Sequence, residues 1–160
     1  MVELFLFNIF VWNNKTTIMK AKSFIRVQDK FGRGMFQSGT PRRLRKTKDV
    51  ASIDELSELS KRHNDFPNAI DDTKIHHFLL ERCDNFVRTY MSGNFDYRFS
   101  FKNLAQFELW VTREEVKILK DYGYDVYRIE ATDFCESEFQ CVFNINSVTK
   151  IDKITDLFLD

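Results

Sequence analysis

The sequence predicts an α+β fold in which a single small sheet, mixed or antiparallel, packs with about four helices. Its 160 residues are roughly one domain's length of chain. Apolar residues make up 43% of it and charged residues 30%, which are values typical of a globular protein. Along the chain, apolar residues recur in some segments at every second position and in others at three- and four-residue steps, so strands and helices alternate.

Residues 1–18 are predicted to lie outside the domain, which is assigned to residues 19–160. Residues 2–12 are strongly apolar, but a membrane helix needs about 20 such residues. A signal peptide would need a basic start and a small-residue cleavage site, which this segment lacks. Met19 opens a segment typical of a natural start. Residues 1–18 are therefore either a translated upstream extension, which we favour, or an added strand.

The first strand of the domain is predicted at residues 23–28, a β-rich run with Arg26 in its middle. Residues 29–49 are predicted to form a long loop, because they contain three of the five glycines and one of the two prolines. A loop of this length in a compact domain is often functional.

Two helices are predicted next. Ser52 and Glu55 have the spacing of a capping box, which predicts a short helix that ends near residue 62. The second helix follows the possible caps Asp71 and Asp72, because apolar residues recur at helical spacing over residues 75–90.

Residues 95–102 have the alternation of a strand with one buried face. The residues predicted on that face are Phe95, Tyr97, Phe99 and Phe101. Asn103 is predicted to cap a helix that turns Leu104 and Phe107 inward.

The last part of the chain is predicted to hold one more helix and further strands. Thr112 and Glu115 form a second capping box, for a helix that Gly123 ends. Strands are predicted at residues 124–131 and 139–144, separated by an acidic turn at residues 133–138. A further element follows at residues 148–159.

The charge of the whole chain argues against broad electrostatic binding. Lysine plus arginine equals aspartate plus glutamate at 24 each, so no net field attracts nucleic acid or an anionic membrane. Binding by charge must therefore be local. The three cysteines, Cys83, Cys135 and Cys141, are an odd number, which fits a reducing cytoplasm better than a secreted disulfide framework. Cys83 is predicted to face the core.

No cofactor or metal site is predicted. His76 and His77 are adjacent on a helix, about 100° apart, and cannot both face one ion. No nucleophile motif is present. Gly32-Arg33-Gly34 follows a strand but lacks the third glycine and the lysine of a phosphate loop, so a tight turn is the favoured interpretation.

The segment at residues 97–130, YRFSFKNLAQFELWVTREEVKILKDYGYDVYRIE, resembles a loosely defined group of small, uncharacterised bacteriophage accessory proteins. The shared pattern is an aromatic strand, a helix with glutamine and tryptophan, a glutamate-rich helix that ends in glycine, and a strand with tyrosine. The earlier segments FIRV, FGRGMF and HNDFPNAIDD resemble the same group, so the likeness covers residues 24–129. It implies a phage accessory protein in the bacterial host cytoplasm, and it implies no reaction.

The strongest local signal is a basic cluster in the predicted loop. Its members are Arg33, Arg42, Arg43, Arg45, Lys46 and Lys48. Such a cluster can bind phosphates or an acidic protein surface, and the flanking Phe31 and Phe36 could stack on bases. Alternatively, the loop is solvated and its charges balance the acidic residues 54–58. We predict binding to a host protein or nucleic acid, with no membrane partner.

One enzyme alternative stays open. Arg26, Ser100 and Glu130 occur in an order that resembles the arginine, serine, glutamate order of ADP-ribosyltransferases. The resemblance implies that these residues would hold NAD and stabilise the transition state. A chain rich in charged residues also offers this order by chance, so we lean against an enzyme. A structural phage component is a third alternative, and large exposed apolar patches would indicate it.

Overall fold

The computed structural model describes residues 20–36, 47–65, 71–83 and 95–159. The described helices are α1 (Ser57–Asp65), α2 (Thr73–Arg82), α3 (Leu104–Trp110) and α4 (Arg113–Asp121). The described strands are β1 (Lys22–Asp29), β2 (Tyr97–Ser100), β3 (Tyr124–Ala131), β4 (Phe134–Glu136), β5 (Cys141–Asn144) and β6 (Val148–Lys153). Short 3-10 turns are present at Val50–Ser52, Asp54–Leu56, Ile145–Ser147 and Thr155–Phe158. The predicted α+β class is confirmed.

The strands form two antiparallel three-stranded sheets with the orders β1-β3-β6 and β2-β5-β4. Among the described residues one bridge joins them, in which the backbone N–H of Ile25 donates to the Phe101 carbonyl and the N–H of Phe101 donates to the Ile25 carbonyl, each at 2.8 Å. Of the two predicted arrangements, mixed or antiparallel, the strands show the antiparallel one, and they divide between two sheets where the sequence suggested one.

The core lies on both faces of the β1–β3 pair. One face carries Ile25, Val27 and Val126, which pack against the helical side of the protein. The other face carries Phe24 and Ile129, which pack against the β2-β5-β4 sheet. Helix α2 covers that second sheet with Ile75 and Leu79, both fully buried. Because both faces of the β1–β3 pair are covered, charged residues on these strands must be buried or lie at an edge.

Three of the predicted helix ends are confirmed. Asp72 accepts the N–H of Ile75 at 3.2 Å at the start of α2, and Asn103 accepts the N–H of Gln106 at 2.9 Å at the start of α3. In the α4 capping box, Thr112 accepts the N–H of Glu115 at 3.2 Å and Glu115 accepts the N–H of Thr112 at 2.8 Å.

Gly123 has φ of +84° where α4 ends, a conformation that glycine adopts at little cost. The capping box predicted at Ser52 is wrong. Ser52 ends a 3-10 turn that Asp49 caps, and α1 begins only at Ser57. Residues 84–90 of the second predicted helix lie outside the described residues.

Two further predictions are corrected. Phe99 is only half-buried, whereas Ser100 on the opposite face of β2 is 2% exposed, because β2 is covered on both sides. Leu104 is 43% exposed, and Gln106 is buried in α3 instead. The Gln106 amide donates to the Glu138 carbonyl at 2.7 Å and accepts the N–H of Lys102 at 2.8 Å. Strand β4 lies inside the predicted acidic turn.

Candidate binding surface at the end of strand β1

Asp29, the last residue of β1, holds together the turn that follows the strand. Its buried carboxylate accepts the backbone N–H groups of Phe31 at 2.8 Å and of Arg33 at 2.9 Å. It also forms an ion pair with the Arg33 side chain, with Nε 3.2 Å from Oδ2. Gly32 has φ of +76° at the tip. One side chain therefore fixes both the backbone and the basic residue of the turn, as Asx turns do.

The turn presents an aromatic ring in contact with two cations. Phe31 is 52% exposed. The Lys30 Nζ lies 5.1 Å from the centre of its ring, and the Arg33 guanidinium carbon lies 4.8 Å from it. Both distances are typical of cation–π contacts. We call Lys30, Phe31 and Arg33 the Phe31 turn.

The chain on either side of residues 37–46 is fixed beside this turn. The Thr47 hydroxyl donates to the Asp29 carboxylate at 3.2 Å. The Val50 N–H donates to the Met35 carbonyl at 3.2 Å, and both residues are buried in the core. The described residues that flank positions 37–46 therefore lie close to the Phe31 turn.

Two of the six predicted binding residues are described, and both lie in this region. Arg33 belongs to the Phe31 turn. Lys48 is exposed, its Nζ lies 5.4 Å from the centre of the Tyr122 ring, and its carbonyl accepts the Tyr124 hydroxyl at 2.9 Å. Arg42, Arg43, Arg45 and Lys46 lie outside the described residues. The sequence analysis missed Lys30 and Asp29, although an aspartate three residues before a glycine is a turn signal.

Arg26 is a buried cation on β1, and its contacts are those of a structural residue. Its guanidinium donates to the Gln28 side chain at 3.0 Å and to the Phe99 carbonyl. Burial, together with the nearby Arg98 charge, lowers the pKa of Arg26 to about 9, so the side chain still carries its charge at neutral pH. Gly34 leaves room for it, since a Cβ there would lie 3.0 Å from Arg26 Nη2.

The three residues of the transferase alternative do not converge. Arg26 lies opposite Tyr127, and Glu130 lies opposite Ser23, in the β1–β3 register. Side chains alternate between faces along a strand, so Arg26 and Glu130 point to opposite faces of the sheet. The Ser100 hydroxyl is buried and donates to the Cys141 carbonyl at 3.5 Å. In the described part of the chain, these residues share no pocket, and nothing in their arrangement supports NAD binding.

A shallow cleft of about 630 Å³ is present elsewhere, between the start of α2 and the turn after β4. Its lining residues are Asp71, Asp72, Thr73, Lys74, Lys102, Glu136, Ser137, Glu138 and Phe139. The Asp72 carboxylate is already engaged, because it caps α2, accepts the Ser137 hydroxyl at 2.5 Å and accepts the Gln140 amide at 3.3 Å. Since Arg26, Ser100 and Glu130 are absent from the lining, the cleft does not serve the transferase alternative either.

The described residues include no arrangement that would bind a metal ion or activate a cysteine thiol. No group of three or more His, Cys, Asp or Glu side chains within them could hold an ion. Burial raises the pKa of the Cys135 thiol, and that of the Cys141 thiol to about 12, so both are protonated at neutral pH. Neither cysteine is therefore an activated nucleophile. No helix in the described ranges is long and apolar enough to cross a membrane.

Comparison with known proteins gives one match. A family model described as Bacteriophage T4 Y00F protein matches residues 19–156. No curated protein and no solved structure matches the chain.

Proposed function

Because the chain belongs to the Bacteriophage T4 Y00F protein family, we propose that it is a phage accessory protein that binds a macromolecule of the bacterial host. The proposed binding surface is the basic, Gly/Arg-rich loop, and the proposed place of action is the host cytoplasm. Family membership supports the phage origin, and the geometry around Asp29 supports the surface.

The observation that carries the proposal is the Phe31 turn. The exposed Phe31 ring is in contact with two cations, on a turn that a buried carboxylate fixes. Fixing the turn before binding lowers the conformational entropy that a complex would cost. An aromatic ring with adjacent lysine and arginine suits either a nucleic acid, by stacking and phosphate contacts, or an acidic protein surface.

Local charge supports the same surface. The chain has equal numbers of basic and acidic residues. Residues 30–48 nevertheless contain Lys30 and six further basic residues. These are Arg33, Arg42, Arg43, Arg45, Lys46 and Lys48. The chain flanking residues 37–46 is fixed beside the Phe31 turn through Asp29 and Thr47. Among the described residues, Lys30, Arg33 and Lys48 lie in this region, and cations that lie close together act on one partner more strongly than the same charges spread over the surface.

The test is a pull-down from bacterial lysate with the full chain and with a variant that carries alanine at Arg42, Arg43, Arg45 and Lys46. The matched control removes four exposed cations from α1 and α4, at Lys61, Arg113, Lys117 and Lys120. Both variants change the net charge equally. Each sample is run with and without nuclease, which separates nucleic acid from protein partners.

We expect a partner that the full chain and the control recover and that the loop variant loses. A second variant, Phe31→Ala, separates stacking from charge, because it removes the ring and leaves the cations. Equal recovery by the full chain and the loop variant would overturn the proposal.

A further inference from the structure

Strand β6 has an open edge. It pairs with β3 on one side, and within the described ranges no strand pairs with its other side. Thr149, Lys150, Ile151 and Lys153 are exposed, and Ile151 is 54% exposed although it is a large apolar residue. An exposed strand edge presents unpaired backbone groups and can pair with another chain.

The backbone direction at this edge follows from one hydrogen bond. The Ile154 N–H donates to the Val126 carbonyl at 2.8 Å, so the backbone groups of residue 154 point toward β3. In an antiparallel pair this direction alternates from residue to residue. Lys150 and Asp152 therefore bond to β3, whereas Ile151 and Lys153 direct their N–H and C=O groups to the open edge.

We propose that β6 pairs antiparallel with β6 of a second copy of this chain, around a two-fold axis beside Ile151. In this register Ile151 lies opposite Ile151 of the second copy, and Lys150 lies opposite Asp152 of the second copy. The surface used is the same in both copies, as a two-fold dimer requires. The inference concerns self-association and stands apart from the host-binding loop.

Charge complementarity identifies the second copy as the occupant. Within one chain, Glu130 lies opposite Lys150 and Arg128 lies opposite Asp152. These opposite residues form a row of side chains across the strands. Pairing two copies extends the row, which then reads Glu130, Lys150, Asp152 of the second copy and Arg128 of the second copy. The charges alternate in sign along the whole row, and opposite charges across strands are stabilising.

The same pattern fixes the register. A shift of the pairing by two residues places either Lys150 opposite Lys150 or Asp152 opposite Asp152, and like charges directly opposite each other are destabilising. On the other face, Ile129 lies opposite Ile151. The proposed register continues this pair into an apolar row of four isoleucines, which covers the exposed Ile151 side chain.

The first test is sedimentation equilibrium of the full chain over a wide range of concentrations, together with the Ile151→Pro variant. Proline removes an N–H that points away from β3, so the ladder inside the protein is retained, and edge strands tolerate proline at such positions. We expect the weight-average mass of the full chain to rise toward twice that of the monomer. The variant is expected to stay monomeric with an unchanged circular dichroism spectrum, and with the melting temperature that the full chain has at concentrations low enough to be monomeric.

The second test swaps charges. Asp152→Lys and Lys150→Asp each place like charges opposite each other between copies, and each variant alone is expected to be monomeric. Each change also places a like charge opposite Arg128 or Glu130 within the chain and removes the Lys150–Asp152 ion pair, so circular dichroism first establishes that both variants are folded. An equimolar mixture of the two restores both opposite pairs and is expected to form a heterodimer. A full chain that stays monomeric throughout, a dimer that survives Ile151→Pro, or a mixture of the charge variants that does not associate would overturn the proposal. A monomer would mean that Lys150 and Lys153 protect the edge from pairing.

Discussion

The Arg62 side chain of α1 binds the Glu115 side chain of α4, which is also the residue that closes the α4 capping box. The guanidinium donates to the Glu115 carboxylate with Nη2 2.6 Å from Oε1, and through Nε to the Trp110 carbonyl at 3.1 Å. The same carboxylate accepts the Thr112 N–H. One contact thus joins two helices and the end of a third.

We expect Arg62→Met to lower the free energy of unfolding by about 2 kcal/mol, because it leaves the nearly buried Glu115 carboxylate without its cation. Glu115→Gln keeps the shape and is expected to cost less. In a double-mutant cycle measured by urea denaturation, the coupling between the two residues should be at least about 1 kcal/mol. Additive effects would show that the ion pair contributes no stability.

Asp29→Ala is expected to destabilise the protein by about 2 to 3 kcal/mol, since two backbone N–H groups and a guanidinium lose their acceptor. Asp29→Asn keeps an acceptor oxygen but loses the charge, and should fall between the two proteins. The measurement is urea unfolding. Partner recovery is then measured without denaturant, where both variants are folded. Full partner recovery by Asp29→Ala would show that the Phe31 turn need not be fixed before binding.

Gly32→Ala is expected to cost about 1 kcal/mol, because an alanine with φ of +76° is strained although its Cβ would contact nothing within 4 Å. Gly32→Asn should recover part of this loss, since asparagine tolerates the left-handed region better. Thermal unfolding of the three proteins measures the difference. Equal melting temperatures would mean that the turn changes its backbone conformation in the variants.

His63 is expected to make stability depend on pH. Burial against Phe36, whose ring centre lies 3.7 Å away, lowers the pKa of His63 below 6.5 in the folded state. The unfolded chain therefore binds a proton first as the pH falls through 6.5, and stability is lost from there down to the folded-state pKa. His63→Phe keeps a ring in the stack and removes the proton, so its free energy of unfolding should be flatter over that window. A parallel decline in both proteins would assign the effect to other groups.

Local signals predicted the elements that short-range chemistry determines. Asn103, Thr112 with Glu115, and Gly123 were correct because each acts on backbone groups within about four residues. The capping box predicted at Ser52 was wrong because the Asp49 side chain accepts the Ala51 N–H and caps a 3-10 turn there, and Ile53 has an extended backbone. Strand β4 was hidden because three residues are too few to show a period.

The candidate surface was predicted only in part, for a related reason. Arg33 and Lys48 could be named from the basic run, but the contact between Asp29 and Thr47 spans 18 residues of sequence and has no periodic signature. Whether Arg26 and Glu130 share a face depends on the β1–β3 register, which joins distant parts of the chain. Residue order alone could not reveal it.

The bridge between Ile25 and Phe101 connects the two sheets inside the core. Both residues are buried in the main core, and each supplies both a donor and an acceptor. Separating the sheets would therefore expose core side chains as well as break backbone bonds, at a cost near that of global unfolding. The amide hydrogens of Ile25 and Phe101 should exchange with solvent as slowly as the slowest in the molecule, whereas those of Ile151 and Lys153 should exchange early in the monomer.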